Sequence, residues 1–253
     1  MLGVTRKAMI KDILLEKKSV IVSDLAKRFD VTEETIRRDL QQLENEGFLT
    51  RTYGGAFIQE GAINDVDLAL REAVSIDKKE AIAEVCASLI HHGDTIFLDA
   101  STTASFVARA IKNMRVTVLT NSLMVVDQLK DHDSVRLICL GGVYSPRTKA
   151  FNGRSTILGL NDYYVDKAFI SCRYVSLSHG ITDSNEDIAM VRQTVLNQAH
   201  EIFLIADSSK FNKTSFMHLC DLKDLNGGII SDFDFTPDWE RALSEEKVNI
   251  YRA

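Results

Sequence analysis

The sequence predicts an α/β protein in two parts, and three observations carry that reading. Residues up to 57 hold three short helical patterns followed by a glycine-turned hairpin pattern. From residue 75 onward, short β-branched runs alternate with helical stretches, the order expected of a mostly parallel sheet. Between them "GAINDVDLAL" (61–70) is acidic and only moderately apolar. It marks a connector over 58–74 between domains 1–57 and 75–253.

In residues 7–15, Met9, Ile10, Ile13 and Leu14 share one face of a helix. "SVIVSDLAKRFDV" then gives a short extended piece, with Ser23 placed to cap a helix carrying Leu25, Ala26 and Phe29. After a turn at Asp30-Val31, Thr32 is a second N-cap, and Glu33 and Glu34 suit the first turn of the next helix. Ile36, Leu40 and Leu43 form its buried stripe, and Gly47 is expected to end it. Residues 48–57 alternate as a hairpin turning near Gly54-Gly55.

Two short helices joined by a tight turn, a supporting helix and a hairpin make a winged helix-turn-helix. Thr35, Arg38 and Gln42 are expected to project from the second helix, with Thr32, Glu34 and Arg37 around its exposed N-terminal end. That end of such a helix meets base edges in a major groove, while Arg51 and Tyr53 on the wing suit phosphate or minor-groove contact. Arg37-Arg38 alone reads as a solvated helix face. The ordered array of caps, stripe and hairpin is what points to double-stranded DNA.

In the second part a helix is expected over 78–92, with Ile82, Val85, Cys86 and Leu89 on one side. Strand-like runs follow at 95–100, 116–120, 135–140, 167–171, 202–206, 227–230 and 248–252, with helices over 104–111, 123–130 and 187–200.

The net charge of −6 excludes a protein that coats nucleic acid indiscriminately. Residues 1–57 hold ten Lys/Arg against nine Asp/Glu, and the remainder 20 against 27, so DNA contact rests on a few placed basic residues. No run of eighteen apolar residues occurs, and the charged first helix does not read as a signal peptide, so a cytoplasmic protein without membrane association is expected. Cys86, Cys139, Cys172 and Cys220 are widely spaced and read as reduced thiols; no histidine spacing suggests a metal. Neither GxGxxG nor GxxxxGK[ST] is present, so no cofactor is expected.

Ligands of open parallel sheets bind beyond the carboxyl ends of the strands. Those ends carry Asp99-Ala100-Ser101-Thr102-Thr103, Asn121-Ser122, Gly141-Gly142 and Ser208-Ser209-Lys210. Hydroxyls and open N–H groups at a helix start suit a phosphate, glycines allow close backbone approach, and Lys210 offers a point charge. Each alone has an ordinary structural explanation: a cap, a turn or a solvated lysine. Together they point to a phosphate-bearing ligand.

The chain resembles DeoR-type transcriptional regulators over essentially its whole length. "VTEETIRRDLQQLENEGFLTRTYGGA" is close to that family's winged helix-turn-helix signature. The second half matches through "DTIFLDASTTASFVARAI", "VLTNS", "CLGGVYSPRTKAFNG", "DKAFIS", "GITDSNEDIAMVR" and "ADSSKFNKTSF". The resemblance implies a repressor of sugar or polyol catabolism whose sensor domain shares its fold with sugar-phosphate isomerases. It implies a phosphorylated sugar or polyol effector, held by Asp99, Ser101, Thr102, Thr103, Asn121, Ser122, Gly141, Gly142 and Lys210, with Arg147 and Lys167 as further candidates. Thr35, Arg37 and Arg38 are then the DNA contacts. Tyr174 departs from the small residue common at its position and is expected to reshape the pocket. One helix-turn-helix reads few base pairs, so a homodimer or homotetramer is expected. An isomerase-like enzyme fused to a DNA-binding module is the alternative, with Asp99 and Asp207 as its possible bases. No further carboxylate motif supports it, and no catalytic residue is assigned.

Overall fold

The computed structural model describes residues 3–17, 19–46, 48–52, 54–57 and 75–253. They belong to two compact units, one ending at Ile76 and the other beginning at Asp77.

In the first unit α1 (Gly3–Lys17) is followed by β1 (Ser19–Ile21), α2 (Val22–Phe29), α3 (Glu33–Asn45), β2 (Thr50–Arg51) and β3 (Gly55–Phe57). Ile10, Ile13 and Leu14 of α1 pack against Val22, Leu25, Ala26, Phe29, Ile36, Leu40 and Leu43. Met9 is exposed, because the inward face of α1 runs instead through Arg6, Ile10, Ile13 and Leu14. Thr32 caps α3 as expected, its Oγ1 accepting from the Thr35 N–H at 3.2 Å. Ser23 does not cap α2. That helix starts at Val22, whose N–H donates to the Gly54 carbonyl at 2.9 Å, so the wing backbone supplies what a side chain was expected to give. Gly47, the expected stop of α3, and Tyr53 lie outside the described residues.

The wing has three strands rather than two, in the order β1-β3-β2, because the extended "SVI" joins it. A Cβ at Gly55 would meet the Val20 carbonyl oxygen at 2.1 Å, so only glycine lets β3 close onto β1. Beneath these elements Arg6 donates two hydrogen bonds to Asp39, at 2.5 and 3.2 Å, clamping α1 to α3. Those bonds raise the Arg6 value. A buried charge left alone is costly, and both side chains of this pair are only 9% exposed. Asp39→Ala is therefore expected to destabilise the first unit by about 3 kcal/mol, at the low end for such pairs, as measured by thermal denaturation.

In the second unit α4 (Ile76–Leu89) leads into β4 (Thr95–Leu98), α5 (Thr102–Ile111), β5 (Val116–Thr120), α6 (Leu123–Leu129) and β6 (Val135–Cys139). The hairpin β7 (Val143–Ser145) and β8 (Ala150–Asn152) is followed by α7 (Arg154–Leu160) and β9 (Val165–Ile170). Next come β10 (Tyr174–Ser176), β11 (Gly180–Asp183), α8 (Glu186–Leu196), β12 (Ala199–Ile205), β13 (Met217–Cys220), β14 (Gly228–Ser231), α9 (Pro237–Glu245) and β15 (Ile250–Arg252). The seven-stranded sheet runs β15-β14-β12-β9-β4-β5-β6, every neighbouring pair parallel. Strand alternation puts Ile96 and Leu98 against α4, α5 and α6 on one face and Phe97 against the α8 and α9 side on the other. Val85 and Leu89 of α4 are only half-buried, with Ala83 and Ile90 taking the interior instead. The helix expected over 187–200 stops at Leu196, and Ala199 already opens β12.

From β4 the chain proceeds outward through β5 and β6, then returns to place β9, β12, β14 and β15 on the other side. The order reverses between β4 and β9, and a crevice opens at the carboxyl ends of strands at such a point.

Candidate functional site

The outward face of the helix-turn-helix follows from helix geometry. At about 100° per residue, the position opposite Ile36, Leu40 and Leu43 is occupied by Glu34, Arg38, Gln41 and Asn45. Arg38 is thus correctly expected to project. Thr35 lies on the flank, half-buried and sharing a 2.9 Å hydrogen bond with Thr32, while Gln42 is exposed as expected and accepts from Lys7 of α1 at 2.8 Å. Gln41, about as far round the helix on the other side of that face, is half-buried and donates to Asn45 at 3.1 Å. Arg37 donates to Glu33 at 3.1 Å and Arg38 to Glu34 at 3.3 Å. Arg51 is fixed against α3, its N–H and Nε both donating to Glu44, at 2.9 and 2.8 Å. Those bonds hold the Glu44 carboxyl below its usual range.

At the switch point of the sheet, Asp99 ends β4 and is 1% exposed. Its Oδ1 accepts from the Ser101 N–H at 3.0 Å. Its Oδ2 accepts from the Ser171 N–H just past β9 and from Arg192 of α8, both at 2.8 Å. Arg192 also reaches Asp183 at the end of β11, whose other oxygen accepts from the Ser184 N–H at 2.8 Å. Asp183 and Arg192 are 4% and 6% exposed. Burial works against the Arg192 charge, but Asp99 and Asp183 outweigh it and raise its value. The Asp99 carboxylate therefore holds three donors of the protein and positions the 99–101 turn and the start of the segment after β9.

Those neighbours open α5. Ser101 Oγ accepts from the Ala104 N–H at 3.0 Å and the Ser101 carbonyl from Ser105 at 3.3 Å, leaving the N–H groups of Thr102 and Thr103 at the open end of a ten-residue helix. Register places Asn121 beside Asp99. Asn121 Nδ2 donates to the Phe151 carbonyl at 2.9 Å, and Asn121 Oδ1 is buried without a partner among the described residues. Ser122 caps α6, its Oγ accepting from the Val125 N–H at 3.4 Å. Gly141 is exposed with open space beside it, whereas a Cβ on Gly142 would lie 2.1 Å from Thr156 Oγ1, so Gly142 is required by packing.

Lys210 comes from the 3-10 turn after β12 and bridges toward β9, donating to Ser171 Oγ at 2.6 Å and the Cys172 carbonyl at 3.0 Å. Burial pushes the Cys172 thiol up to about 12, so it stays protonated. Burial also raises the Asp207 carboxyl, but the Lys210 charge, two hydrogen bonds from Ser209 and the Lys79 charge outweigh it and hold the value below its usual range. Lys79 is itself buried in the first turn of α4, and its neighbour Lys78 donates to Ser208 Oγ at 2.6 Å. Arg147 is exposed in the turn between β7 and β8, and Tyr174 starts β10 with the Arg173 guanidinium 4.9 Å from its ring.

Lys167 is a correction. It lies near the amino end of β9, paired in register with Ile96, and its Nζ is 2.5 Å from Asp94 Oδ2. Four residues upstream of Ser171 along an extended strand, it is about 13 Å from the carboxyl edge. Lys167 opens the strand expected over 167–171, so its place at the amino end was legible in the sequence. Arg192 and Asp183 were missed in turn, though Ala189, Arg192 and Val195 fall at i, i+3, i+6, which places an arginine on the apolar side of a helix.

A winged helix-turn-helix together with a parallel-sheet unit whose crevice lies at a switch point is the architecture of a DNA-binding regulator with a sensor. The family description "DeoR-like helix-turn-helix domain" matches residues 6–61, and "DeoR C terminal sensor domain" matches 74–232. The HTH-type transcriptional regulator YulB of Bacillus subtilis is 35% identical over 99% of this chain and 96% of its own length. The transcriptional repressor GlcR of the same organism is 33% identical over 87% and 85%, and the L-fucose operon activator of Haemophilus influenzae is 35% identical over 85% and 86%. Ribose 5-phosphate isomerase A of Methanocaldococcus jannaschii aligns at 20% identity over 54% of each chain with a TM-score of 0.40, a likeness too distant to carry an argument. The chain belongs to the DeoR family of helix-turn-helix transcriptional regulators. Among the described residues no helix is long and apolar enough to cross a membrane.

Because the native Asp207 value lies below the unfolded one, the unfolded chain binds the extra proton in acid. The stabilisation is present above about pH 4 and is lost as the pH falls through the native value. Thermal denaturation of Asp207→Asn across that range is expected to show a shallower acid loss than the parent chain.

Proposed function

We propose that the chain is a repressor of a sugar or polyol catabolic operon that releases double-stranded DNA when a phosphorylated sugar occupies the switch-point crevice. The observation that carries the ligand class is the pairing of donors and an acceptor there. Open N–H groups at the start of α5, with Lys210 nearby in the same crevice, suit an anion. Beside them the buried Asn121 Oδ1 calls for a hydroxyl donor. A phosphate and a hydroxyl on one small molecule answer both demands. Repression is supported by the name of GlcR, although the Haemophilus relative is named an activator.

The same geometry argues against isomerase chemistry. Asp99 has both oxygens engaged by Ser101, Ser171 and Arg192, and Asp207 is held below its usual range, which makes it a poor base. A homodimer or homotetramer would set two α3 helices on successive half-sites.

A thermal-shift screen with paired sugars and sugar phosphates tests the ligand. At a hundredfold excess over Kd a cognate phosphate is expected to raise the Tm by about 5–10 °C and its free sugar not to. Lys210→Ala is expected to abolish that difference; equal shifts from phosphate and free sugar remove the anion role. For DNA, Arg38→Ala is expected to cost about 1–3 kcal/mol on a selected site. Arg51→Ala should instead weaken all duplexes evenly and lower the salt slope by about one. Unchanged affinity of Arg38→Ala at matched salt removes α3 as the reading helix.

A further inference from the structure

The outward stripe of α3 carries an acid as well as a base. Glu34 and Arg38 stand one turn apart, their side chains 66% and 77% exposed, at the point of the helix opposite its buried stripe. Arg38 spends only Nε on Glu34, at 3.3 Å. Its two terminal nitrogens remain as a fork, and Glu34 keeps Oε2 without a partner among the described residues. The neighbouring pair is built differently: Arg37 gives a terminal nitrogen to Glu33 at 3.1 Å, and both lie toward the flank.

A first-turn acid favours a helix dipole, and Glu33 already supplies one. A second carboxylate on the face turned to DNA meets the repulsion of the phosphates unless a base gives it a donor. In the major groove only cytosine N4 and adenine N6 offer N–H donors, and a carboxylate is matched to cytosine, whereas an arginine fork is matched to guanine O6 and N7. Residues at i and i+4 are separated by about 6 Å along the helix, less than two base-pair steps.

We propose that Glu34 and Arg38 act as one base-reading unit, Arg38 on a guanine and Glu34 on a cytosine of the same or the adjacent base pair. Glu34 is thereby a specificity residue: it admits one base and rejects sites that leave its carboxylate facing an acceptor. This rests on the reading of α3 as the DNA-reading helix.

The test is selection from a randomised duplex library, followed by competition titrations at fixed salt, for the parent chain, Glu34→Gln and Glu34→Asp. Thermal denaturation confirms that each variant is folded. The parent chain is expected to enrich a site with a cytosine whose replacement costs roughly tenfold in affinity. Glu34→Gln is expected to lose that preference or move it toward adenine, while the other positions keep theirs. Glu34→Asp retains the charge but not the reach, and is expected to lose it as well. If both variants keep the parent preference and Glu34→Gln binds every duplex more tightly by one factor, Glu34 is only a repelling charge and the proposal is overturned. If the parent chain enriches no sequence, the assignment of α3 fails and the proposal falls with it. A parent site with a preserved guanine and no cytosine preference overturns the pairing while leaving α3 as the reader.

Discussion

One buried guanidinium organises the sensor unit. Arg192 carries Asp99 from the end of β4 and Asp183 from the end of β11, and Asp99 in turn holds the Ser171 N–H at the end of β9. A carboxylate this deeply buried is tolerated only when it is paired and hydrogen-bonded, so removing the guanidinium leaves two charges without compensation. The strands joined in this way lie on the two sides of the topological switch. The electrostatic requirement of a few side chains therefore fixes the mouth of the crevice. The turn 99–101 is held from below by Asp99, and that turn sets where the open end of α5 stands.

Cations in the crevice are distributed unevenly. Arg192 faces two carboxylates, whereas Asp207 is held by the charges of both Lys210 and Lys79. An arriving anion is thus favoured on the lysine side and disfavoured beside Arg192, which gives a small ligand a polarity before any shape is considered. Lys78 and Lys79 come from the first turn of α4, where the second unit begins, and Lys78 pairs with Asp232 at 2.9 Å while holding Ser208. The 208–210 turn is thus tied to the first turn of α4.

Much of this was legible in the sequence, and the failures share a cause. Periodicity finds a buried stripe well, so Ile36, Leu40 and Leu43 and the strands of a mostly parallel sheet could be read directly. Chemistry at strand ends was legible too, because loops beyond β4, β5 and β12 carry hydroxyls, amides and a lysine. What periodicity does not give is which polar group already has a partner. Asp99, Ser101 and Ser122 were read as ligand contacts, and each also holds a partner inside the protein: Arg192 for Asp99, and the Ala104 and Val125 N–H groups for the two serines. Lys167 looked like a cation for the crevice and is the partner of Asp94 at the opposite edge. Ser23 looked like a cap, but Gly54, thirty residues on, supplies the carbonyl that fixes the start of α2. For Asp99, Lys167 and Ser23 the missing information was long-range pairing.

The same accounting of partners explains how a chain with net charge −6 can address DNA at all. The arginines of α3 are not an unscreened basic patch: Arg37, Arg38 and the wing residue Arg51 each hold a glutamate. Non-specific affinity grows with the number of phosphates neutralised, and an arginine already paired contributes less to it because its partner repels the phosphate. Base edges are different. They offer donors and acceptors in a fixed pattern, so a paired acid and base can be satisfied together where the sequence is right and not where it is wrong. On the reading of α3 proposed above, pairing its arginines with glutamates is expected to lower affinity for DNA in general more than for a matched site. The acidic composition and the helix-turn-helix are therefore consistent parts of one arrangement, in which discrimination is obtained by restraint on charge.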